Sequence, residues 1–138
     1  MTLRPILLDT CAAIWIANGS RLSVEAEAAL QEAQHRGRIT YISPITAWEV
    51  GQLVARGRLA LSLPPDLWFE AFTASGMQLG PMPPGVLVGS SFLPGPALRD
   101  PADRILAATA RTFDFRLMTR DRPLLEFANA GHVQAIAC

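Results

Sequence analysis

The chain of 138 residues contains no lysine: all 12 of its basic residues are arginine, set against 12 acids for a net charge of zero. Without lysine there can be no Walker A phosphate loop, no lysine Schiff base and no aspartyl-phosphate pocket with its lysine partner. Charge of either sign is sparse at 17% of residues, so no whole-molecule field draws in nucleic acid or an anionic membrane. Cysteine is nearly absent. Cys11 and Cys138 are too few for a disulfide framework, and neither sits in a Cys-x-x-Cys or Cys/His cluster, which excludes the metal-thiolate classes. His35 and His132 have no acid or Cys partner near them in sequence and read as structural or surface residues. Apolar runs are short. Leu3 to Leu8 is too brief for a signal-peptide core and meets Asp9 at once. The charge-free stretch from Ala71 to Leu98 holds five of the 11 prolines and five of the ten glycines, which excludes a membrane span. A reducing, cytoplasmic setting is the expectation.

What remains is a chain that is 50% hydrophobic, enough for one domain over residues 1–138 with a substantial core. Ile6-Leu7-Leu8 is an apolar run without alternation, which predicts a strand buried on both faces and ending at Asp9. A helix through Ala12 to Ala17 follows, and a second opens at Ser23 and runs to about His35. Ile39 to Ile42 predicts another strand, and Ser43-Pro44 starts a helix that carries Trp48 and Glu49 and stops at Gly57. A shorter helix is expected over Pro65 to Phe72, a strand over Met77 to Met82, then a loop or brief helix. Asp100-Pro101 opens a helix to Phe113, Arg116 to Thr119 is a strand, Pro123 to Ala128 a helical turn or two, and Val133 to Ala137 a closing strand. Alternation of this kind predicts a mostly parallel sheet with helices on both faces, whose ligands gather at the carboxyl ends of the strands.

Four acids are placed to meet there: Asp9 and Asp121 just past strands, and Glu49 and Asp103 in the opening turns of helices. Gathered together they repel and raise one another's pKa unless a divalent cation neutralises them. An all-oxygen cluster suits Mg²⁺ or Mn²⁺, and the reaction implied is metal-assisted attack of water on a phosphodiester. Each acid also has a plainer role open to it. Asp9 and Asp100 can cap helices, Asp103 can match a helix dipole, Asp121 can pair with its neighbouring arginines, and Glu49 can be an ordinary helix charge.

Leu7-Leu8-Asp9-Thr10, Ser43-Pro44-Ile45-Thr46-Ala47-Trp48-Glu49-Val50, the run from Asp100-Pro101-Ala102-Asp103-Arg104 to Ala110, and Leu117-Met118-Thr119-Arg120-Asp121 together resemble PIN-domain ribonucleases. The likeness is greatest to the VapC-type toxins of bacterial toxin–antitoxin pairs and spans nearly the whole chain. It implies a three-layer α/β/α sandwich, Mg²⁺- or Mn²⁺-dependent cleavage of RNA, a homodimer, and inhibition by a cognate antitoxin. By the same resemblance Asp9 and Asp103 are the principal metal ligands, and Glu49 and Asp121 act by ligation or through bound water. Thr119 is the hydroxyl that orients a water or a phosphate oxygen. The pattern departs from many relatives in lacking a His shortly before the Asp-Pro pair, where Ala97-Leu98-Arg99 stands. A PIN-like module acting mainly through its antitoxin complex is the alternative reading, and retention of all four acids favours the enzyme.

Six arginines lie between Arg99 and Arg122 against four acids, and Arg104, Arg120 and Arg122 are the candidates for holding an RNA backbone by its phosphates. Arg111 and Arg116 read as ordinary surface arginines. Trp15, Trp48 and Trp68 lie in amphipathic helices and read as packing residues rather than base-stacking platforms. The charge-free segment and the leucines from Leu59 to Leu67 offer either an irregular core cover or a surface for a dimer mate or an antitoxin helix.

Overall fold

A computed structural model describes residues 3–96 and 98–138. Five strands form one sheet: β1 (Ile6–Leu8), β2 (Thr40–Ile42), β3 (Gln78–Leu79), β4 (Arg116–Thr119) and β5 (Gln134–Ala137). Their order is β3-β2-β1-β4-β5 and every pairing is parallel, so the sheet is parallel throughout. The chain winds outward from β1 through β2 to β3, then crosses to β4 and β5 on the other side. The strand order therefore reverses between β1 and β4, where an open α/β sheet leaves a crevice at its carboxyl edge.

Seven helices join the strands: α1 (Thr10–Ala17), α2 (Val24–His35), α3 (Pro44–Ala55), α4 (Pro65–Ala74), α5 (Pro84–Gly89), α6 (Pro101–Phe113) and α7 (Arg122–Asn129). Because strand side chains alternate, Ile6 and Leu8 enter one core with residues of α1, α2 and α4, whereas Leu7 enters the other with α6 and α7. All three are fully buried, which is why β1 reads as an unbroken apolar run. Removing each from water contributes roughly 1.5–3 kcal/mol. The expected three-layer α/β/α arrangement is the observed one. In α6, Ala107 and Ala110 join Leu106 against the sheet, so small side chains let this helix lie close to β4.

Five helices open on side-chain caps: Asp9, Ser23, Ser43, Asp100 and Asp121 each accept a backbone N–H from the first turn. Pro44, Pro101 and Pro123 lie in the opening turns of α3, α6 and α7, where a missing N–H costs nothing. Two expected elements are smaller or shifted. The strand expected over Met77 to Met82 is reduced to the two exposed edge residues of β3, because Pro81 and Pro83 cannot donate to a ladder. The brief helix is α5, six residues long. The helix expected over Pro65 to Phe72 is α4, which runs on to Ala74 and has Asp66 in its first turn. Ala97, in the segment where the family His is missing, falls outside the described residues.

Among the described residues no helix is long and apolar enough to cross a membrane. The tryptophans divide. Trp68 is buried and stacks on Phe72 with ring centroids 5.5 Å apart, whereas Trp48 is 55% exposed and lies outside the core of its own chain. The charge-free segment divides, with Val86 and Leu98 in the core and Val88 and Phe92 facing solvent.

Candidate active site

The site is built at the carboxyl edge where β1 and β4 lie side by side. Asp9 follows β1 directly, and its carboxylate does two things at once. Oδ1 accepts the backbone N–H of Ala12 at 2.7 Å and so caps α1, while Oδ2 accepts the hydroxyl of Thr119 at 2.6 Å. The capping role open to Asp9 in the sequence is therefore realised, by the same carboxylate that holds Thr119. Asp9 is only 4% exposed, and this burial raises its pKa above the usual carboxylate value although the Thr119 and Ala12 bonds oppose the rise. A buried carboxylate with two donors on its oxygens is a fixed feature of the fold.

Thr119 ends β4 and is wholly buried. Its one hydroxyl proton goes to Asp9, and its oxygen accepts the N–H of Asp121 at 3.0 Å. The hydroxyl thus faces protein rather than water or phosphate, and its work in this structure is to hold Asp9 in place. Asp121 in turn caps α7 through the N–H of Leu124 at 3.2 Å. The alternative left open by the sequence, an ion pair with its neighbouring arginines, is absent among the described residues, and Arg122 pairs with Glu126, at 3.4 Å.

Glu49 comes from the other side, half-buried on α3, and accepts a hydrogen bond from the hydroxyl of Thr10. Burial raises its pKa, with Asp100 and Asp9 adding to the rise and the Thr10 bond opposing it. Asp103 stands in the first turn of α6, and its pKa is pushed up to about 8, first by burial and then by Asp121, Asp100, Glu49 and Asp9. One carboxyl feels all four others, so the fold brings the predicted acids to one rim. Asp100 flanks that rim and caps α6, its Oδ1 accepting from Ala102 N at 2.8 Å and Asp103 N at 3.1 Å. Among the described residues, no three acid, His or Cys side chains are gathered tightly enough to enclose an ion. An open rim of hard oxygens still matches Mg²⁺ or Mn²⁺, since such ions keep several waters, take one or two carboxylates and leave room for phosphate oxygens. The mutual repulsion felt at Asp103 is what a divalent charge relieves.

The arginines are less free than their sequence positions suggest. Arg104 spends its guanidinium on the carbonyls of Leu98 and Arg99, fixing the chain as it enters α6. Arg120 holds the carbonyl of Cys138 at 2.8 Å and lies 3.7 Å over the ring of Trp15. Arg122 is 89% exposed. Arg111 and Arg116 bond to the carbonyls of His132 and Arg4, away from the rim. His132 packs on Phe127 and against Gly95, in keeping with a structural role.

Three residues around the site escaped the sequence reading. Thr10 and Thr46 are buried hydroxyls beside Glu49, and the only signal was Thr46 standing three residues before Glu49, on the same helix face. Cys11 is exposed in the first turn of α1. Its thiol is pushed up to about 11 by burial of the sulfur and by Asp9, Glu49, Asp103 and Asp121, which places it among the four acids.

A parallel α/β/α sandwich whose strand-order reversal carries a rim of carboxylates defines a chain of the PIN domain family, whose profile matches residues 6–130; this chain belongs to that family. Within it, the chain is 32% identical over 120 residues to Ribonuclease VapC22 of Mycobacterium tuberculosis (strain ATCC 25618 / H37Rv), covering 86% of this chain and 88% of that protein. The fold matches the crystal structure of VapBC2 from Rickettsia felis bound to a promoter DNA fragment, with a TM-score of 0.68 at 13% identity over 96% of this chain and 98% of that one. It also matches FitAB bound to the IR36 DNA fragment, with a TM-score of 0.55 at 21% identity over 96% and 94% of the two chains.

Proposed function

We propose that the chain is a single PIN unit acting as an endoribonuclease toxin, held in check in the cytoplasm by a cognate antitoxin, and working as a homodimer. The observation that carries this reading is the rim itself: a carboxyl at Asp103 pushed up to about 8 by burial and then by its acidic neighbours, on the same rim as a buried Asp9 locked by two hydrogen bonds. Groups so perturbed at a sheet's carboxyl edge mark sites of chemistry. Similarity to Ribonuclease VapC22 over most of the chain supports RNA as the substrate, and the likeness to the VapBC2 and FitAB complexes supports an antitoxin partner.

Asp9 and Asp103 would hold Mg²⁺ or Mn²⁺, with Glu49 and Asp121 beside them. Such a cation, when bound, supplies positive charge to the scissile phosphate and makes water a stronger nucleophile at neutral pH. The chain's own residues do the rest. Asp9 is fixed by Ala12 and Thr119 before any cation arrives, so it would need little reorganisation to hold one. Glu49 and Asp121 accept hydrogen bonds from an attacking water and orient it. Arg122 offers a guanidinium to the RNA backbone, and Arg104 and Arg120 contribute the N–H groups that their carbonyl partners leave free.

The test is cleavage of total cellular RNA by purified, antitoxin-free protein with Mn²⁺, alongside Asp103→Asn. Discrete fragments that need the cation and vanish in the variant are the expected result. A folded wild type that cuts nothing would favour a module acting through its antitoxin complex.

A further inference from the structure

The hydroxyls of Thr10 and Thr46 have no place in the reaction as described, yet both are buried, Thr10 at 5% exposure and Thr46 at 0%. Thr46 and Glu49 stand three residues apart on one face of α3, and the Thr10 side chain, reaching across from the first residue of α1, meets both. Thr10 has one hydroxyl proton, which it gives to Glu49 Oε1. The contact between the two hydroxyls, 3.0 Å long, must then carry the Thr46 proton to the Thr10 oxygen. The order of donation is fixed: Thr46 to Thr10, Thr10 to Glu49.

This chain ends on Glu49 Oε1, which leaves the second carboxylate oxygen outside the relay. The same helix turn is tied to the other half of the site, because Asp9 precedes Thr10 and caps α1 through Ala12. Consecutive Cα atoms lie about 3.8 Å apart across a trans peptide, so one peptide bond links the group that locks Glu49 to the acid fixed by Thr119. We propose that Thr46 and Thr10 form a buried two-hydroxyl relay that positions Glu49, and that the first turn of α1 thereby sets the spacing of two acids for a divalent cation. The proposal rests on the metal-dependent reading above. Thr10 and Thr46 are positioning residues, since neither reaches the rim itself.

The experiment measures Mn²⁺ binding calorimetrically to the full chain, with crystal structures of the same variants. Thr10→Val keeps the side chain's shape and removes the proton. It is expected to weaken Mn²⁺ binding roughly tenfold to a hundredfold, the usual effect of losing a partner behind a metal ligand. Thr46→Val removes only the rear donor and loses less, in the same direction. Thr10→Ser restores the hydroxyl and recovers most of the affinity. In a Glu49→Ala background Thr10→Val costs nothing more, because the relay has nothing left to position; general damage to the fold would instead add. Unchanged affinity in both valine variants overturns the proposal, as does an equal loss with and without Glu49. If the wild type itself binds no Mn²⁺, it is the metal-dependent reading that fails. The relay is then judged by the crystal structures alone, where an unmoved Glu49 in Thr10→Val overturns it and a reoriented one upholds it.

Discussion

Asp103 carries an electrostatic cost that the folded chain has to bear. Its pKa lies at about 8 in the folded chain against 3.8 for a free side chain, so the native state keeps a proton that the unfolded chain releases. A folded-state pKa that is raised in this way contributes stability fully present below the unfolded value and lost as pH rises through the folded one. Without a cation, the protein therefore weakens from about pH 4 towards about pH 9. At roughly 1.4 kcal/mol per pH unit, the rise from 3.8 to about 8 caps the cost of ionising Asp103 near about 6 kcal/mol. Asp103 is only half-buried, and solvent screening reduces this to about 2–3 kcal/mol. Asp103→Asn removes the charge at nearly constant volume and is expected to stabilise the cation-free protein by that amount at about pH 9, raising Tm by roughly 6–12 °C for a chain of this size. Calorimetric melting in EDTA at about pH 5 and about pH 9 checks this, because at the lower pH the wild-type carboxyl is already protonated and the advantage should disappear. Excess Mn²⁺ should then stabilise the wild type and not the variant. An Asp103→Asn protein no more stable than wild type at the higher pH would refute the idea that burial and the neighbouring acids make Asp103 costly to ionise.

Other outcomes follow from the same geometry. Asp9→Asn should lower RNA cleavage by about a thousandfold or more with the fold intact, since a charged group fixed in the site is removed at constant shape. Asp9→Ala should also lose about 1 kcal/mol of stability with the cap on α1, a difference visible in urea melts of the two variants. Asp66→Asn, at the exposed start of α4, should leave cleavage unchanged when assayed beside them. Arg120→Ala should cost about 1–2 kcal/mol by melting, because the guanidinium ties Cys138 to Trp15. Equal stability there would return Arg120 to a purely RNA-facing role.

Much of this protein was readable without coordinates because its signals are local. The apolar run of β1, the serine and aspartate caps, and the prolines in first turns act within a few residues of where they stand, so they set element type and position directly. The acids could be listed for the same reason: each follows a strand or opens a helix. Where local signals conflict, the reading blurred. The proline-rich segment after α4 kept only two strand residues, and Trp48 lies on an amphipathic helix yet faces solvent, since periodicity alone does not say which face finds a partner.

Tertiary structure alone decided how the acids are held. Thr119 is 110 residues from Asp9 and Thr10 is 39 from Glu49, and only the parallel pairing of β1 with β4 and the packing of α1 on α3 bring each hydroxyl to its carboxylate. Likewise Arg104 and Arg120 looked available for phosphate until their donors were found on backbone carbonyls. Sequence determined which groups could do chemistry at the sheet's carboxyl edge. Their charge state, orientation and freedom depend on burial and on partners distant along the chain, so the three-dimensional arrangement had to supply them.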